Sequence, residues 1–98
     1  MMEIGIRSVG FDAKDHLVKF AEERVKKLER FYENIQKVEV FLRLKSDAVT
    51  NKEAGIRIHV PGTELYASKT CDSFEEAVDE VIDALRRQLK KYKGRQAS

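Results

Sequence analysis

Apolar and polar residues alternate at the start of the chain. Ile4 and Ile6 fall on one side and Glu3, Gly5 and Arg7 on the other, so Met2 to Val9 reads as a half-buried strand. Gly10 breaks it, and Asp12 is placed as a helix N-cap whose carboxylate accepts from a free amide two or three residues on. The period then lengthens. Leu17, Ala21, Val25, Leu28 and Tyr32 recur at steps of three or four, flanked by Phe20 and Phe31, and predict a helix from Ala13 to Tyr32 with Asn34 as a left-handed stop. From Ile35 to Lys45 the period returns to two, Val38, Val40, Leu42 and Leu44 alternating with Lys37, Glu39, Phe41, Arg43 and Lys45. A polar loop, Ser46 to Lys52, leads to a third strand with Ala54, Ile56, Ile58 and Val60 on its apolar side. Val60-Pro61-Gly62-Thr63 predicts a type II turn, because proline presets the first central position and glycine tolerates positive φ at the second. Glu64 to Cys71 forms the fourth strand, with Leu65, Ala67 and Cys71 inward. Lys69 breaks that pattern, which a sheet edge tolerates because the lysine stem can snorkel. Ser73 and Glu76 make a capping box for a last helix, whose buried stripe is Phe74, Ala77, Val78, Val81, Leu85, Leu89 and Tyr92.

Each element has one apolar face, and two layers bury them all: a four-stranded sheet with both helices side by side on one face. This is an α+β, two-layer β-α-β-β-β-α sandwich. A chain of 98 residues is long enough for such a core without disulfide or metal staples. No internal repeat or linker divides it, so residues 1–93 read as a single domain and 94–98 as a short frayed tail.

Charge changes the picture. The net charge of +2 conceals a polarised chain: Arg86, Arg87, Lys90, Lys91, Lys93 and Arg95 follow one another in residues 84–98 with no acid among them. Setting these six aside leaves 13 of the 19 lysines and arginines against all 17 acids. The last helix opens with Glu75, Glu76, Asp79, Glu80 and Asp83. Complementing the helix dipole accounts for those acids and for two of the bases, and it does not need six. On a helical wheel Arg86, Arg87, Lys90 and Lys93 point away from the core together, with Lys91 at the margin. Phosphate contacts from such a face release condensed counterions, the main source of affinity for an RNA backbone. The first helix offers Lys19, Arg24, Lys26, Lys27 and Arg30, although Glu22–Lys26 and Glu23–Lys27 are spaced to pair within the helix. If the helices lie side by side, these bases join the last helix in one positive surface. The outer sheet face interleaves Arg7, Lys37, Arg43, Lys45, Arg57 and His59 with Phe41 and Tyr66, a pattern shared by base-stacking sheets and by ordinary solvated faces.

Catalytic chemistry finds little footing. Cys71 falls in the inward register and His59 in the outward one, and no glycine-rich phosphate loop or H-x-x-x-H occurs. A lone cysteine and two distant histidines give no disulfide and no zinc spacing, so no metal and no cofactor are expected. The longest apolar runs are a few residues, and the N-terminus has no basic n-region or long h-region. The expectation is a cytoplasmic protein, not an enzyme, with no membrane and no small-molecule substrate.

Several strings carry a family likeness over essentially the whole chain. With the Ile4-x-Ile6 strand, Glu22-Glu23-Arg24-Val25-Lys26-Lys27-Leu28-Glu29-Arg30-Phe31 and Arg87-Gln88-Leu89-Lys90-Lys91-Tyr92-Lys93, the sequence resembles the short ribosome hibernation-promoting factors and ribosome-associated translation inhibitors, the sigma-54 modulation protein family. The resemblance implies a fold akin to double-stranded RNA-binding domains with an added first strand. It implies binding to the small ribosomal subunit and its rRNA between head and body, over the sites of mRNA and tRNA, which silences idle ribosomes under stress or in stationary phase. Carried over by position, it makes Arg24, Lys27 and Arg30, with Arg87, Lys90, Lys91 and Lys93, the RNA-binding residues. Arg86 is an extra base where relatives often carry an acid. Ala84 stands where some relatives have lysine, and Tyr92 where histidine is common; its register places it in packing. Ending at Ser98, the chain is similar to the short members, which act alone or with a separate ribosome modulation factor. That favours hibernation promotion over monosome stabilisation alone. A free-standing double-stranded RNA binder and a protein-interaction module working through Phe41, Tyr66 and the acidic half of the last helix remain the alternative readings.

Overall fold

The computed structural model describes residues 2–46 and 49–97; Met1, Ser98, the loop positions Asp47 and Ala48, and the side chains of Arg95, Gln96 and Ala97 lie outside the described residues. Strand β1 (Glu3–Val9) is followed by helix α1 (Asp15–Lys26), which tightens into a 3₁₀ turn (Lys27–Arg30). Strands β2 (Lys37–Leu44), β3 (Lys52–Val60) and β4 (Thr63–Cys71) come next, and helix α2 (Phe74–Ala97) closes the chain. The strands lie in the order β1-β2-β3-β4. β1 and β2 are parallel, as a pair joined by a helical crossover can be, and the other two pairs are antiparallel.

The register explains why one face is buried. Ile4, Val38, Ile58 and Leu65 align across all four strands, and so do Ile6, Val40, Ile56 and Ala67. The next row is Ser8, Leu42, Ala54 and Lys69, apolar at its centre and polar only at the two sheet edges. Lys69 therefore sits exposed on edge strand β4, as its break in the alternation anticipates. Both helices cover this face. Leu17, Ala21, Val25, Leu28 and Tyr32 on the first, and Phe74, Ala77, Val78, Val81, Leu85 and Leu89 on the second, join the strand residues in one core.

Local departures from the predicted elements have identifiable causes. Asp12 does not cap α1, which begins at Asp15; extended Lys14 occupies the N-cap position, and its carbonyl accepts from the amides of Leu17 and Val18. Phe11 stacks on Phe74 at 4.8 Å between centroids and 10° between planes, anchoring the segment before α1 to the first turn of α2. Asn34 is not a left-handed stop, since no non-glycine residue among those described has positive φ. The 3₁₀ turn ends the helix instead, with the Phe31 and Tyr32 amides both donating to the Leu28 carbonyl. Leu44 is 41% exposed, although its alternation reads as core. The β1 register ends opposite Arg43, and Leu44 has only Lys52 across from it. Gly62, at φ +86°, fits the third position of the type II turn. Ser73 Oγ accepts from the Glu76 amide at 3.1 Å, as the capping box requires. The backbone of α2 is helical through Gly94 to Ala97.

Leu42 and Leu44 share a strand face and differ only in what lies across from them. Leu42→Ala should cost about 2–5 kcal/mol in urea unfolding, and Leu44→Ala roughly 0.5 kcal/mol or less.

Candidate nucleic-acid interface

The seam between the helices is built from the same periodicity that fills the core. Leu85 and Leu89 are fully buried, so the intervening positions of α2 emerge on its far side, where Arg86, Arg87, Lys90, Lys91 and Lys93 are all exposed. The 3₁₀ turn buries Leu28 and delivers Arg30 and Phe31 to the surface beside that half of α2. Two contacts lock these segments together, and a third ties α2 to the β3–β4 turn. Lys93 Nζ donates to the Phe31 carbonyl at 2.8 Å, Tyr32 and Tyr92 meet edge to face at 5.4 Å, and the Tyr92 hydroxyl donates to the Pro61 carbonyl at 2.6 Å. Tyr92 packs, as its register implies.

The outcome is a groove of about 470 Å³ lined by Arg30, Phe31, Arg86, Arg87, Lys90 and Lys93. It holds five cations around one aromatic ring. The Arg86 guanidinium lies 5.3 Å from the Phe31 centroid and 3.9 Å from Asp83, an exposed pair of little energetic weight. Among the described residues, Arg30, Arg87 and Lys90 have no ion-pair partner. The Glu22–Lys26 and Glu23–Lys27 pairs suggested by spacing do not close either. Five crowded cations with a single weakly paired acid between them repel one another, and an anionic ligand relieves that repulsion.

Three residues of the predicted site lie elsewhere. Lys27 and Lys91 are exposed but do not line the groove. Arg24 is tied into the fold: its Nε donates to Asp79 of α2 at 2.8 Å and its guanidinium lies 4.4 Å from the Phe20 centroid, so it acts as an interhelical clasp. That clasp is invisible in the sequence because 55 positions separate the partners. Conversely, Phe31 reads in the sequence as the flank of an apolar stripe. Its adjacency to Arg30 was the one signal of its place in the groove.

The outer sheet face behaves differently, because four of its bases, Arg43, Lys45, Arg57 and His59, have carboxylate partners, while Arg7 and Lys37 have none among the described residues. Glu53 lies 3.8 Å from both Arg43 and Lys45, Arg57 is 3.5 Å from Glu64, and His59 contacts Glu39 at 2.6 Å and Glu64 at 3.3 Å. The hydrogen bond to His59 holds the Glu39 carboxyl below its ordinary value. Arg57 lies within 6 Å of both the Phe41 and Tyr66 ring centroids, at 5.7 and 5.6 Å. On the opposite face, Cys71 is buried and donates to Glu80 Oε2 at 3.2 Å, and burial, reinforced by Glu80, pushes its thiol up to about 12. Glu76 stands in the same cluster, with all three ligand atoms within 4.8 Å. A thiol held protonated is neither a nucleophile nor, in that state, a metal ligand.

This arrangement defines a two-layer α+β domain with a cationic groove along its helix seam. Residues 4–97 match the model of the Sigma 54 modulation protein / S30EA ribosomal protein family, and the chain belongs to that family, whose members bind ribosomes and are not enzymes. It is 30% identical to a ribosome hibernation promoting factor of Azotobacter vinelandii, over 97% of this chain and 86% of that one. It is 33% identical to the protein of the same name in Klebsiella oxytoca, over 94% of each. Among solved structures, a ribosomal subunit interface protein from Coxiella burnetii superposes with a TM-score of 0.81 at 19% identity, covering 95% of this chain and 97% of its own, and shares the fold.

A clasp and a ligand-binding base respond differently to mutation. A double-mutant cycle on Arg24→Gln and Asp79→Asn should return a coupling of about 0.2–1 kcal/mol in thermal or urea unfolding. Arg87→Gln should leave stability unchanged within roughly 0.5 kcal/mol.

Proposed function

We propose that this domain is a hibernation factor that binds the small ribosomal subunit through rRNA phosphates, using the groove between the 3₁₀ turn and α2. The observation that carries the reading is the unneutralised state of Arg30, Arg87 and Lys90 in one groove, while four bases of the opposite sheet face are held by carboxylates. Relatives at 30–33% identity bear the name ribosome hibernation promoting factor, which supports the same reading. Lys27 and Lys91, exposed to either side, extend the contact surface. Arg24 contributes through its clasp, by fixing how the helices meet.

The mechanism is steric and electrostatic. Guanidinium and ammonium groups replace counterions on folded RNA, recognising shape and backbone without reading a base sequence through a groove. Seated in the decoding channel, the domain excludes mRNA and tRNA, so idle ribosomes stay silent under stress and in stationary phase. No bond is made or broken, and no cofactor takes part. The action is cytoplasmic, with or without a separate modulation factor.

The test is sedimentation of purified small subunits with the protein, with and without mRNA and tRNA. The intact protein should co-sediment and be displaced by mRNA and tRNA together. Arg87→Glu combined with Lys90→Glu should weaken binding about 100-fold or more while circular dichroism and melting stay unchanged. Undiminished binding by that variant, or equally tight binding to naked duplex RNA, contradicts the proposal.

A further inference from the structure

Phe31 is unusual among the groove residues in carrying no charge, and it is 37% exposed at the centre of the cationic cluster. It also separates two depressions. The first is the groove of about 470 Å³ containing Arg86, Arg87 and Lys90. The second, of about 290 Å³, shares Arg30, Phe31 and Lys93 with the first, and its remaining lining is Tyr32, Glu33 and Asn34. Arg86, whose guanidinium covers the ring at 5.3 Å, lines the first depression and not the second. One side of the partition is therefore strongly cationic. The other is less charged and has an aromatic wall. Glu33 and Asn34 at its rim offer a carboxylate acceptor and an amide, and among the described residues neither side chain has an ion-pair or hydrogen-bond partner.

We infer that the two depressions form a single site for an unpaired nucleotide of RNA, its phosphate held among Arg86, Arg87 and Lys90 and its base stacked on Phe31 in the second depression. This rests on the ribosomal RNA reading above and deepens it, adding base stacking to contacts otherwise confined to the backbone. The chemistry of the site matches such a ligand. An aromatic face stacks any base, and the cation already lying against the ring adds a favourable layer. The carboxylate at the rim accepts from an N–H donor on a base edge, which every base offers, so the site holds an unpaired base without dictating its identity. A base paired within a helix cannot enter, so the site selects single-stranded loops, bulges and ends.

The experiment measures small-subunit affinity for Phe31→Leu and Phe31→Tyr beside the intact protein, as a function of salt, with chemical probing of the bound rRNA. Phe31→Leu keeps an apolar side chain without a stacking face and should bind about tenfold more weakly, with its salt dependence unchanged because no phosphate contact is lost. Phe31→Tyr should bind within about twofold of the intact protein. One unpaired base protected from base-specific reagents by the intact protein should become reactive with Phe31→Leu, while hydroxyl-radical protection of the backbone persists. If Phe31→Leu binds and protects as the intact protein does while the Arg87/Lys90 charge reversal abolishes binding, the stacking site is wrong and the ribosomal reading stands. If the charge reversal also binds normally, both fall.

Discussion

Everything functional in this molecule depends on burying Leu85 and Leu89 against the sheet. A helix has no independent way to orient its polar residues; its apolar stripe settles the rotation, and all other positions follow. With those two leucines inward, Arg86, Arg87, Lys90 and Lys93 must emerge together on the far side. The first helix obeys the same constraint through Val25 and Leu28, both fully buried, which bring Arg30 and Phe31 out at the seam. The 3₁₀ turn completes the geometry, and Lys93 ties its exit to α2 by holding the Phe31 carbonyl.

Charge content alone does not distinguish the two sides of the domain; pairing does. The sheet face carries at least as many bases as the groove, yet Glu39, Glu53 and Glu64 between them hold Arg43, Lys45, Arg57 and His59. A base already satisfied by a carboxylate must give up that partner to bind a phosphate. The groove bases mostly have no such partner. The two halves of one helix thereby differ, the acidic first half of α2 clasping α1 through Asp79 and the basic second half lining the groove.

Periodicity made most of the fold legible. The shift from two to 3.6 and back marks every element, and the apolar rows across the sheet follow directly from alternation in each strand. What was not legible depends on neighbours distant in the chain. Leu44 reads as core, but its exposure is decided by where β1 runs out. Asp12 reads as a cap, but the Phe11–Phe74 stack accompanies a later helix start. The site shows the same division. Outward-facing bases on α2 are visible on a helical wheel, whereas the capture of Arg24 by Asp79 and the meeting of Arg30 with Arg87 require the helices to be placed side by side. Phe31 shows the limit most clearly, since its sequence neighbourhood describes a core flank and its surroundings in space describe a ligand platform.

The central claim is that five groove cations act together on an RNA backbone. The most direct measurement is the affinity for purified small subunits across a series of monovalent salt concentrations. If all five displace counterions, a plot of log K against log salt should fall with a slope of about −3.5 to −4.5. A slope shallower than about −1 would mean that phosphates are not what the groove holds, and would contradict the account.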